Sequence, residues 1–275
     1  MTPPINKLLI GASVAISTMA VSAPAFAGSL TVTDVSGTHL TYESDGTTTY
    51  LGSDWQSALD GSGNIELSGS TSTSDAANIN SATTLSGYFG DVTDSITFSS
   101  LTVNDWLYSG PIDGYNSFGQ KWFTEAWNST ESGWQSYLKN QANNQSLSLT
   151  QAYNTFNFFQ GYKRFSDPNV ESVFQNSDGD ISFDLAGHLN HESGLAMSEV
   201  VKVSYNGTTQ YFYDFGQPTA SGVYSADDGV SHTGNYNFVI EGASPTASVP
   251  EPAMMFGVTI VGGAIASLKR RIRQS

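Results

Sequence analysis

Three groups of residues have types and spacings that could do chemistry. The densest acidic spot is Ser177-Asp178-Gly179-Asp180, with Asn176 before it and Asp184 after it. Carboxylates clustered around a glycine are what a calcium loop uses, which makes Asp178, Asp180 and Asp184 candidate Ca2+ ligands. An EF-hand frame with Gly179 at its sixth position puts Phe174 at the first, where an oxygen ligand is required, so that frame fails. An Asp-Gly turn feeding the following strand accounts for the same residues. Asp227-Asp228-Gly229 carries the same two readings. The histidine cluster is His188, His191 and Glu192. On a helix the two histidines would share a face at a spacing zinc could use. No third ligand is evident and no zinc motif matches, so a polar turn around Gly187 and Asn190 competes. A hydrolase would have to draw on Asp178, Asp180, Asp184 and His188. There is no Gly-x-Ser-x-Gly elbow, and no Ser-His-Asp pairing stands out.

The third group is aromatic. Trp106, Tyr108, Tyr115, Phe118, Trp122, Phe123, Trp127, Trp134 and Tyr137 crowd one part of the chain. Sugars stack their C–H faces on aromatic rings, and Trp122, Trp127 and Trp134 could form such a row. Trp and Phe at helical spacing also pack a core, which is the competing role. No catalytic set assembles, so the sequence assigns no enzymatic activity and no cofactor beyond the candidate Ca2+ ligands.

These residues sit in a chain of 275 residues with 25 Asp+Glu, 10 Lys+Arg and no Cys. A net charge of −15 repels a phosphate backbone, which excludes nucleic-acid binding. Zero Cys excludes a disulfide scaffold, thiolate zinc, iron–sulfur clusters and a Cys nucleophile. Hydrophobic residues at 39% are enough for a core at this length.

The elements that must position the candidates follow from periodicity. Alternation predicts strands around Leu30–Val35, Ser95–Ser99, Leu101–Val103, Ile181–Ala186 and Asn235–Ile240. Asp45-Gly46 and Asn206-Gly207 predict hairpins, the second placing Val201, Val203 and Tyr205 opposite Tyr211, Tyr213 and Phe215. Ser68–Ser74 reads as a polar loop. Between the strands the period becomes helical, over a block at about 117–175. Ser148 is the expected N-cap of one helix, and Asp167-Pro168 starts a last short one. The expected fold is mainly β with a helical insertion (α+β), a β-sandwich-like ectodomain over 28–242.

Both ends read as addresses. Lys7, an apolar run and Ala25-Phe26-Ala27 form a signal peptide over 1–27, with Ala25 and Ala27 in the positions a signal peptidase selects. A small-residue linker at 243–249 leads to Pro250-Glu251-Pro252, an apolar transmembrane stretch at 253–268 and a basic tail at 269–275. Lys269, Arg270, Arg271 and Arg273 should stay cytoplasmic and leave the body on the far side. The two prolines keep the triplet extended, in a form a processing enzyme can grip.

The triplet, the short span and the basic end, paired with a signal peptide, resemble the PEP-CTERM proteins of bacteria, and the body resembles a subgroup known mainly from cyanobacteria. The resemblance is carried by the last 27 residues or so. It implies export by the general secretory route, transient membrane retention by one C-terminal span, and processing near the triplet by an exosortase. It also implies a place at the cell surface or in an extracellular polysaccharide matrix. The family shares no one activity, so it implies a destination and not a reaction. The expected protein is a surface or matrix protein, structural or exopolysaccharide-associated, with a carbohydrate-binding module and a secreted hydrolase as the alternatives. The ends hold half of the basic residues and only Glu251 of the acidic ones. The body at 28–249 therefore carries 24 acidic against 5 basic residues, a net charge of −19.

Overall fold

The computed structural model describes residues 28–68, 79–90, 95–191, 193–224 and 232–242. In chain order its elements are β1 (Gly28–Ser29), β2 (Thr31–Ser36), β3 (His39–Ser44), β4 (Thr49–Leu51), α1 (Trp55–Asp60), β5 (Asn64–Leu67), β6 (Thr84–Tyr88) and β7 (Ser95–Ser99). Then come α2 (Val103–Tyr108), α3 (Phe118–Asn128), α4 (Trp134–Gln141), α5 (Leu149–Phe158) and a 3-10 helix at Gly161–Phe165. The chain closes with β8 (Asn169–Gln175), β9 (Ile181–Gly187), β10 (Val201–Tyr205), β11 (Thr208–Phe212), β12 (Thr219–Ala220) and β13 (Gly234–Ile240). The protein is mainly β, with its helices concentrated between β7 and β8.

Two antiparallel sheets carry the fold. One runs β12-β13-β9-β8-β5-β3-β4, with β1 added on β8; the other runs β11-β10-β7-β6-β2. Alternation explains which side chains they bury. Ile181, Phe183 and Leu185 of β9 are fully buried, and Phe183 meets Phe98 of β7 edge-on at 5.1 Å, joining the sheets in one core. Two register shifts break strict alternation. One between Val32 and Asp34 lets Leu30 and Val35 both face the core. The other, between Glu171 and Phe174 with Ser172 at φ 51°, does the same for Val170 and Val173.

The Asn206-Gly207 turn has φ values of 49° and 73°, the two left-handed residues of a tight hairpin. That turn fixes Tyr205 opposite Thr208 and Val201 opposite Phe212, not opposite the tyrosines that parity suggested. Tyr211 pairs with Lys202 instead, and its ring stacks on Phe118 at 4.2 Å.

The helical block both starts and ends earlier than its sequence outline, running from Val103 to Phe165. Leu101–Val103 is no strand: Thr102 caps α2 in a reciprocal box with Asp105, whose carboxylate accepts from the Thr102 backbone N–H at 2.8 Å. Asp167-Pro168 starts no helix. The helical part ends at Phe165, and β8 begins at Asn169 because the Pro168 carbonyl accepts from Leu67 N–H at the edge of β5. Ser148 does cap α5, in a box with Gln151. A second core forms here, in which Trp106, Phe118, Trp122, Phe123, Trp134 and Phe156 pack ring against ring.

No helix among the described residues is long and apolar enough to cross a membrane. The signal peptide, the triplet Pro250-Glu251-Pro252, the span at 253–268 and the tail from Lys269 to Arg273 lie outside the described residues. So do positions 69–74 of the polar loop and Asp227-Asp228-Gly229. Within the second core, Trp122 is fully buried while Tyr108 is 73% exposed. Trp122→Ala should lower unfolding free energy by about 3–5 kcal/mol, and Tyr108→Ala by less than about 0.5 kcal/mol, in urea titrations followed by circular dichroism.

Candidate functional site

The candidate site is a cavity of about 610 Å³ between α4, α5 and the 3-10 helix on one side, and the segment Gly187–Glu199 with the adjoining ends of β8 and β9 on the other. That segment is pinned by backbone bonds at every second residue. Ala196 N–H reaches Ser132 O at 3.1 Å, Ser198 N–H reaches Asp214 O at 2.9 Å, and Val200 N–H reaches Phe165 O at 3.0 Å. The extended backbone then alternates its side chains. Leu195, Met197 and Glu199 line the cavity, with Ser198 also reaching it, while Ala196 and Val200 are buried away from solvent.

The opposite wall is set by caps and close packing. Ser132 Oγ accepts from Trp134 N–H at 3.1 Å and orients the first turn of α4, so that Trp134 lines the cavity at 5% exposure. Gly161 lets the chain reverse after α5, since a Cβ there would come within 2.5 Å of the Phe156 ring. The turn carries Phe165 into the wall and leaves Arg164 exposed at the rim, near Phe159, which is 74% exposed.

The polar end of the cavity is acidic. Glu199 accepts from the Asn169 side-chain amide at 3.4 Å. Burial, then repulsion from Asp167 and Glu66, holds its carboxyl well above the ordinary range. Burial also pushes Asp167 up to about 6. A second carboxyl pair lies across β8 and β9, where Glu171 is in register with Asp184. Glu171 is only 3% exposed and accepts from the Asn235 side-chain amide at 3.2 Å, with that amide oriented to satisfy its neighbours. Burial, with Asp184 nearby, pushes Glu171 up to about 8.

The residues singled out from the sequence fall in different places. Trp122 and Trp127 are 0% and 8% exposed inside the second core, and Trp134 faces the cavity. They form no exposed row, because i,i+4 aromatics on α3 are the face that α5 covers. Asp178 and Asp180 belong to the turn between β8 and β9, where Asn176 Oδ1 accepts from both backbone N–H groups at 2.9 Å. The Asp180 carboxylate is taken up by Gly242 N–H and the Asn176 amide. Asp184 sits in mid-strand and accepts from the Asn237 amide. Four residues of extended chain, about 13 Å, separate Asp180 from Asp184, and the same distance again separates Asp184 from His188. The three aspartates and His188 therefore do not converge. Among the described residues no group of three or more His, Asp or Glu is disposed to hold a metal ion. His188 and His191 do meet, ring centroids 4.7 Å apart, in an irregular segment lining the cavity rather than on a helix. Glu192 lies outside the described residues.

Glu199, Asp167, Glu171 and Arg164 escape a sequence reading because partners far apart in the chain set their environment. One signal was available: Leu195, Met197 and Glu199 alternate, with a lone carboxylate inside an apolar run. No family model matches this chain, and neither the curated proteins nor the solved structures contain a match to it.

The buried carboxyls give stability a pH sign. Glu171 stays protonated in the folded state up to about 8 but ionises near its ordinary 4.5 when unfolded. The folded state then binds more protons, so stability falls as pH rises through that window. Glu171→Gln keeps the shape and removes the titration. It should match the parent at pH 4.5 and exceed it at pH 8 by an amount on the order of 4 kcal/mol, read from urea midpoints at the two pH values. A slope of the same sign should remain from Asp167 and Glu199.

Proposed function

We propose that the chain is an exported surface or extracellular-matrix protein, sorted and processed through its C-terminal Pro250-Glu251-Pro252 signal. The observation that carries this reading is the order of features at the two ends. An apolar leader closes on Ala25 and Ala27, and the other end places Pro-Glu-Pro before a short apolar stretch and four basic residues. In this reading the two-sheet body is a β-sandwich-like ectodomain, structural or exopolysaccharide-associated. Its composition suits that place: 34 Ser and 23 Thr over 28–249 supply neutral hydroxyls, and a net charge of −19 keeps the body soluble and apart from its copies. The partners are signal peptidase, an exosortase-type enzyme, the membrane before processing, and a polysaccharide afterwards.

The test is intact-mass spectrometry of the protein recovered from native cells. The expected mature form begins at Gly28 and lacks Lys269–Ser275. Pro250→Ala with Pro252→Ala should retain that tail and accumulate in the membrane fraction. An extracellular form with Lys269–Ser275 still attached overturns the proposal. The charge adds a second expectation. An acidic polysaccharide should bind the body only through bridging divalent cations, so a chelator should release it. Binding that survives chelation, measured by co-sedimentation, contradicts the role assigned to the charge.

A further inference from the structure

The cavity beside α4 and α5 has an acidic end that no Lys or Arg among the described residues pairs with. Glu199 lines it, with Asp167 and Glu66 close enough behind to raise its proton affinity. Among the described residues neither Glu199 nor Asp167 pairs with a Lys or Arg; the ion pairs are Lys121–Asp113 and Lys202–Asp105. Most of the remaining wall is aromatic and aliphatic, including Trp134, Phe156, Phe165 and Met197, with His188, His191 and Arg164 as its basic members. Aromatic faces present negative potential, which also favours a cation. The volume falls within the range of pockets that hold small organic ligands.

Charge decides between the ligand classes such a wall would accept. An anionic head would find Arg164 and His191, both exposed, where an ion pair is screened and worth little, and the half-buried His188, whose ring already packs on His191. A cationic head would find Glu199 inside the cavity, where screening is weaker than at the surface, and its charge would favour the ionised form of that carboxyl. The field of a body with a net charge of −19 also concentrates small cations near it and depletes anions. We propose that this cavity binds an organic cation, an amine with an apolar body, with its ammonium on the Glu199 carboxylate and its body against Trp134, Phe156 and Met197. The proposal does not depend on how the chain is sorted.

The test uses the full chain in a nonionic detergent and three probes of one shape: phenylpropylamine, phenylpropanol and phenylpropionate. Isothermal titration calorimetry at neutral pH measures each against a matched detergent blank. The amine should bind at least about tenfold more tightly than the alcohol, and the carboxylate most weakly, as expected for a hydrogen bond to a charged group. Glu199→Gln should remove that tenfold preference and leave the alcohol unchanged, with near-ultraviolet circular dichroism confirming the fold. Arg164→Gln should change the amine affinity by less than about twofold. Thr155→Trp, at an exposed lining position, should weaken all three. The comparison of probes on the parent protein needs no variant, so a Glu199 variant that fails to fold leaves it decisive. Equal or tighter binding of phenylpropionate overturns the proposal, as does amine preference retained in Glu199→Gln, or no binding of any probe.

Discussion

The junction between helices and sheets hangs on one buried hydroxyl. Ser166, fully buried, accepts from the Trp106 indole N–H at 2.8 Å and donates to the Tyr162 carbonyl at 2.8 Å. Its own carbonyl accepts from Leu101 N–H at 3.1 Å, just past the end of β7. Those three bonds tie α2, the 3-10 helix and the exit of β7 to a single residue. Trp106 then passes the constraint on, because its ring packs on Phe118, Trp122 and Tyr162 at once. The neighbouring Phe165 carbonyl holds Val200 N–H, so the segment bearing Glu199 is placed by the same junction. Losing the hydroxyl would orphan a buried indole donor and release a buried carbonyl together, the expensive way to lose a hydrogen bond.

The second constraint is arithmetic. With 24 acidic and 5 basic residues, the body cannot pair most of its carboxylates. Lys121 and Lys202 are committed to Asp113 and Asp105, and Lys139 lies over the Trp127 ring at 5.7 Å. Lys163 and Arg164 remain, both in the 3-10 helix. Any carboxyl buried in the sheets must therefore be satisfied by amides or by its own proton. Glu171 is met by Asn235, Asp184 by Asn237, and Glu199 by Asn169. Neutral amides lower the cost of burying a carboxyl without neutralising it, which is why the proton affinity of these groups is raised.

Much of the β framework was legible from the sequence, because each strand needs only two neighbours to declare its period. Ile181, Phe183 and Leu185 show β9, and Asn206-Gly207 shows its hairpin, since few dipeptides tolerate two left-handed residues in succession. What failed was register and endings. The extra residues near Val32 and Ser172 reverse parity at places no local pattern marks. Asp167-Pro168 carries a good helix-start signature and is overridden because Pro168 O is needed by Leu67, far away in the chain. The alternation of Ile181–Leu185 marked a strand but not which of its polar neighbours, such as Asp184, would be only half exposed. The cavity was illegible for the same reason, since its two walls meet only through tertiary contacts.

The body and its ends therefore answer to different physics. Under the proposed sorting the ends are read as linear sequence: an apolar run, a Pro-Glu-Pro triplet and a basic cluster, recognised by length and charge. The body works only when folded, because Glu199 has no special character until β8, the 3-10 helix and the Leu195–Val200 segment surround it. The basic residues follow the same division. Half of them lie at the two ends, which leaves the body too few to neutralise its carboxyls. An acidic end to an apolar cavity is what that division leaves behind, and a cation from outside the chain is the complement it lacks.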